Sequence, residues 1–91
     1  MQPYFVENIR QIKDYLHFKI FYMGIKALQN EIGRRLKHLR LEKELSQETV
    51  AFEVEISRDH LSNIENGKHP INIKTLYKLA EFFNVDMKYF F

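Results

Sequence analysis

After position 29, apolar residues recur in short bursts at helical spacing, and each burst follows a residue able to cap a helix. Ile32, Leu36, Leu39 and the aliphatic stem of Lys43 are spaced by four, three and four, which puts them on one helical face. Asn30 is the cap this spacing suggests. Ser46 opens the next burst: Gln47-Glu48-Thr49 places acid in the first turn, and Val50, Ala51 and Val54 face inward. Ser57 caps a third helix, with Leu61 and Ile64 on its core side. Asn66-Gly67 ends it, because glycine takes the left-handed conformation that closes a helix. Pro70 keeps the next stretch out of a helix. Asn72 caps a fourth, with Ile73, Leu76, Leu79, Ala80 and Phe83 on one side, and Asp86 opens a last turn from Met87 to Phe91. Five short helices with no strand pairing predict an all-α fold.

The first 29 residues follow a different pattern. Phe5, Ile9, Ile12, Leu16, Ile20, Met23 and Ala27 recur every three or four positions, the stripe of a helix. Leu16, Phe18, Ile20 and Tyr22 also alternate with His17 and Lys19, the pattern of a strand. A strand there has no partner within the chain and would pair with a second copy. Helix is the reading adopted, with 15–23 the part that a strand could claim. The chain therefore divides into an aromatic-rich extension, residues 1–29, and a helical domain, residues 30–91. The extension is either a dimerisation or partner-binding element or additional core.

Composition narrows the classes. Ninety-one residues make one domain, 45% hydrophobic and 29% charged, with three Gly and two Pro, which excludes collagen and low-complexity chains. The absence of cysteine removes disulfide scaffolds, thiolate nucleophiles, zinc fingers and iron–sulfur clusters together. Net charge is only +2, and residues 31–69 hold seven Lys/Arg against eight Asp/Glu, so bulk charge argues for no partner. No stretch approaches the ~18–20 apolar residues of a membrane span, and Met1-Gln-Pro-Tyr lacks the basic start of a signal peptide. A cytoplasmic location is the expectation.

Ser46-Gln-Glu-Thr-Val-Ala51 followed by Ile56-Ser57-Arg-Asp-His-Leu-Ser-Asn-Ile-Glu-Asn-Gly-Lys68 resembles the Cro/lambda-repressor-like (XRE-type) helix-turn-helix family. The resemblance runs from about Asn30 to Phe91. It rests on the Ser-Gln start of helix two, Ala51, the Ile-x-x-x-x-Leu-x-x-Ile core series, the Glu-Asn-Gly-Lys exit and the Leu-x-x-Leu-Ala fourth helix. It implies a five-helix lambda-repressor-like DNA-binding domain with an extra N-terminal segment. Two short helices that pack steeply need a small residue at their crossing, and Ala51 supplies it. The second of them suits the ~12 Å major groove of DNA. By the resemblance, Ser57, Arg58, Asp59 and Asn63 occupy base-reading positions. Their chemistry agrees: Arg forks onto guanine O6/N7, Asp accepts from cytosine N4, and Asn pairs with adenine. Gln47, Asn66 and Lys68 lie where the family touches phosphate. Arg40 and Glu65 match an ion pair that holds helix three to helix one. Arg34, Arg35 and Lys37 read as a solvated face. One position departs from the family: where glycine is preferred after helix two, this chain has Glu55.

Other chemistry is set aside. His17, His38, His60 and His69 lack metal-ligand spacing, so no metal is expected. Ser46 and Ser57 are caps rather than nucleophiles, and Glu42/Glu44 and Glu53/Glu55 diverge on helices. Without a glycine-rich phosphate loop, no cofactor and no enzymatic activity are expected. The leading reading is a transcriptional regulator, a repressor binding double-stranded DNA at a two-fold operator as a homodimer. The competing reading is an antitoxin-like module whose residues 1–29 cover a toxin or other protein partner.

Overall fold

Among the described residues, four α-helices and a closing 3₁₀ turn follow one another: α1 (Pro3–Glu42), α2 (Gln47–Glu53), α3 (Arg58–Glu65), α4 (Ile73–Phe83) and the turn Met87–Phe90. The computed structural model describes the backbone of residues 3–91, and the side chains in that range except those of 3–9, 19, 20, 22 and 23. No strand occurs among the described residues, so the fold is all-α. The strand reading of 15–23 is overturned, since these residues lie within α1. This segment finds its partner inside the chain. Ile12 and Leu16 pack against the core, and the Tyr15 hydroxyl donates to the Phe91 carbonyl at 3.4 Å. Of the apolar stripe read for this region, Phe5, Ile9, Ile20 and Met23 lie outside the described side chains.

A straight helix of 40 residues would be about 60 Å long, yet the molecule's longest dimension is 38 Å. Gly24 resolves the conflict. Its φ of 80° and ψ of 159° lie in a region essentially restricted to glycine, and they break α1 into two arms. A Cβ at Gly24 would meet nothing within 4 Å, so the backbone alone demands glycine there. The N-terminal arm lies back against the closing turn, where Lys88 Nζ donates to Gln11 Oε1 at 3.4 Å. Asn30 is therefore not a cap. It sits inside the second arm, 25–42, with its side chain over the space a Cβ on Gly67 would need. That arm carries Leu28, Ile32, Leu36 and Leu39 into the core, where Val50, Leu61, Leu79 and Phe90 are fully enclosed.

The other four capping residues act where the sequence placed them. Ser46 accepts from Thr49 N, Ser57 from His60 N, Asn72 from Thr75 N and Asp86 from Lys88 N. Helix ends share a second device. At the end of α3, Lys68 N donates to Asn63 O and Gly67 N to Ile64 O, with Gly67 left-handed at φ 69°. The same pair of bonds closes α2, from Ile56 N to Ala51 O and from Glu55 N to Phe52 O, but here Glu55 carries the positive φ of 62°. A side chain in that conformation costs about 1 kcal/mol. The Lys78–Glu55 pair at 3.6 Å, with the Glu55 carboxylate in solvent, returns little of it. Glu55→Gly is expected to raise stability by about 1 kcal/mol in urea denaturation; a loss would show that the left-handed exit is not strained.

Ile73 departs from the core reading. It occupies the first position of α4 and is 59% exposed, because the helix's buried face begins only at Thr75 and Leu76. No helix among the described residues is long and apolar enough to cross a membrane.

Candidate nucleic-acid interface

Four residues, 54–57, join α2 to α3. The two helices pack against each other, and Ala51, at 2% exposure, is the small residue such a crossing needs, with Val50 and Val54 buried beside it. On α3, Leu61, Ile64 and Glu65 point into the molecule, which turns the first turn of the helix outward. Ser57, Arg58 and Asp59 are exposed there, and Asn63 follows one turn later, half-buried. The Ser57 hydroxyl oxygen accepts from His60 N at 3.0 Å, so that side chain serves as the helix cap. Its O–H remains free to donate outward.

A buried polar network fixes α3 from behind. Arg40 Nε and Nη2 donate to the two carboxylate oxygens of Glu65 at 2.7 and 3.0 Å, and Arg40 Nη1 donates to the Leu45 carbonyl at 2.8 Å. Gln47 Nε2 adds a fourth bond, to Glu65 Oε1 at 3.0 Å. One fork thus ties α1, the loop before α2, α2 itself and the end of α3 together. The Gln47 amide is half-buried by this contact, with one of its two N–H groups engaged.

Asn66 and Lys68 lie at the far end of α3, with Asn66 about 14 Å along the axis from Ser57. Asn66 Nδ2 donates to the Ser62 carbonyl at 2.9 Å, so its side chain helps close the helix; Lys68 is exposed. Arg58 is not a bare charge. Its Nε lies 3.3 Å from Glu48 Oε1 and its Nη1 3.6 Å from Asp59 Oδ1. Neighbouring residues Gln47 and Glu48 thus reach opposite ends of α3, since successive side chains on a helix diverge by about 100°.

Sequence reasoning missed three contributors. Glu48 registers there only as acid in a first turn. Lys26, whose Nζ donates to the Gly67 carbonyl, carries no motif. Gly33 is buried where α1 crosses the end of α3, and a Cβ on it would overlap the carbonyl oxygens of Ile64 and Glu65. A lone glycine inside a helical pattern was the available signal for such a close crossing. Arg35, read as solvated, instead donates to the Tyr89 carbonyl at 2.9 Å and pairs with Glu31 at 2.8 Å. No cluster of metal-ligating side chains occurs among the described residues.

Two short helices locked across a four-residue turn, the second with a polar, outward first turn, define a helix-turn-helix DNA-binding domain. The chain belongs to the helix-turn-helix family HTH_3, whose model matches residues 36–90. Among relatives, it is 43% identical over 49 residues to the control protein C.MunI of a Mycoplasma species, covering 53% of this chain and 66% of that protein. It is 36% identical over 59 residues to the HTH-type transcriptional regulator RamB of Mycobacterium tuberculosis, covering 65% of this chain but only 12% of RamB. The crystal structure of the restriction-modification controller protein C.AhdI from Aeromonas hydrophila aligns with a TM-score of 0.66 at 32% identity, over 69% of this chain and 96% of that one.

Proposed function

We propose that this protein is a transcriptional repressor that binds a two-fold operator in double-stranded DNA as a homodimer. Residues 30–91 form the reading domain, and the extension, residues 1–29, packs Ile12, Leu16 and Leu28 on the core and dimerises through the apolar side chains it leaves exposed. The observation that carries the reading is the first turn of α3: Ser57, Arg58 and Asp59 face solvent, on a helix whose far end is clamped by the Arg40–Glu65 fork. Arg58 takes a guanine edge, Asp59 the amino group of a cytosine, Asn63 an adenine, and Ser57 donates its hydroxyl proton to a base acceptor. Gln47, Asn66 and Lys68 take phosphates and set the register. The similarity to proteins named as regulators and controllers supports the regulatory role. Dimerisation is supported by the large apolar side chains exposed around the Gly24 break, Phe18, Phe21 and Ile25. A symmetric pair of reading helices also matches a palindromic site.

Selection of duplexes from a random library, together with the solution mass of the complex, tests the reading. A palindromic consensus bound by two copies is the expected result, and a monomer bound to an asymmetric consensus would contradict the dimer. Arg58→Ala and Asn63→Ala are each expected to lose about 1–3 kcal/mol of affinity for the selected duplex while binding to scrambled DNA persists. Unchanged preference in both variants would remove these residues from the role of base readers.

A further inference from the structure

Glu48 takes no part in the network behind α3, yet it faces the residue read above as a guanine contact. Its Oε1 is 3.3 Å from Arg58 Nε, across the gap between the first turns of α2 and α3. Both side chains are more than half exposed, so the pair adds little to folding stability. A carboxylate on a face that meets phosphates also opposes DNA binding electrostatically. What it does for the guanidinium accounts for its place. Arg presents five N–H groups in a rigid fork. Its two terminal nitrogens suffice for the O6 and N7 of guanine, which leaves Nε–H over.

We propose that Glu48 is a positioning residue for Arg58: it holds the Nε edge, so that the terminal nitrogens are offered to guanine and the charge is kept from straying to the backbone phosphates. This rests on the reading of Arg58 as a base contact. Asp59 is the looser of the two acidic neighbours, 3.6 Å from Nη1 and 88% exposed at its side chain. It is next to Arg58 on the same helix, where side chains diverge, and leaves for its own base when Arg58 engages. Glu48 comes from another helix and stays.

The test uses the full chain with two probes, a duplex selected by the unmodified protein and a scrambled duplex of equal length, each titrated across a salt series. Arg58→Ala comes first and is expected to abolish preference at one G·C pair. Glu48→Gln is expected to tighten binding to the scrambled duplex and to steepen its salt dependence by about one released counterion, as the freed guanidinium finds a phosphate. The ratio of selected to scrambled affinity should fall by about two- to tenfold, with the relaxation confined to the pair that Arg58→Ala affects. In the Arg58→Ala background, Glu48→Gln should leave that ratio unchanged. A merely structural role would weaken both probes together and leave the ratio intact. If Arg58→Ala lowers the ratio and Glu48→Gln does not, the positioning role is overturned while the base contact stands. If Arg58→Ala itself leaves the ratio unchanged, the base contact fails and the positioning role fails with it.

Discussion

Glu65→Ala is expected to remove about 3–5 kcal/mol of folding stability, seen as a lower urea midpoint at unchanged slope. The Arg40 side chain is 9% exposed and that of Glu65 only 1%, so the cation left behind would have neither water nor a counter-charge. Glu65 also accepts from Gln47, and that amide would lose its partner as well. Against a typical total of about 5–15 kcal/mol, such a loss unfolds much of the population at 37 °C. Glu65→Gln keeps the size and one acceptor, and should fall between the wild type and the alanine variant. Replacing both partners by apolar residues of similar volume, Arg40→Met with Glu65→Leu, is expected to recover much of that loss, because no charge is then stranded. The Gln47 amide and the Leu45 carbonyl still lose their partners. A double variant as unstable as Glu65→Ala alone would show that the fork contributes more than the removal of its own desolvation burden.

Gly33→Ala is expected to destabilise by about 1–3 kcal/mol, the range for overfilling a fitted site. The sign is the informative part. In an open helix the same change stabilises by about 1 kcal/mol, because glycine is the poorer helix former. Here the added carbon would strike two main-chain oxygens at the end of α3, and main chain cannot swing aside as a side-chain tip can. Thermal unfolding of the purified variant checks it. A higher midpoint would mean that α1 does not run this close to α3.

Local signals carried most of what was legible in the sequence. Ser46, Ser57, Asn72 and Asp86 cap helices because a short acceptor beside exposed N–H groups is a local matter, complete within four residues. The left-handed exits at Glu55 and Gly67 are local in the same sense. Asn30 was misplaced although it is of the right type, since the preceding residues continue the helix and the true interruption is a dihedral choice at Gly24. Periodicity could not show this break, because the apolar stripe runs through it. Ile73 fits the stripe of α4 by spacing and still faces solvent, as α4 meets the core only from its first full turn onward. Arg40 and Glu65 are 25 residues apart, and no spacing rule joins them; only the family resemblance did. The Glu48–Arg58 contact bridges two helices through long side chains, and its partners cannot be matched from a list of charges.

Gly24 has a consequence for how the molecule comes apart. Non-helical dihedrals at one residue interrupt the ladder of amide bonds, so fraying that starts near Pro3 has no continuous path into 25–42. Amide exchange should therefore fall into two regimes on either side of that residue. The leading arm would unzip in brief sub-global openings, while the framework carrying the α2–α3 pair surrenders its protons only on complete melting.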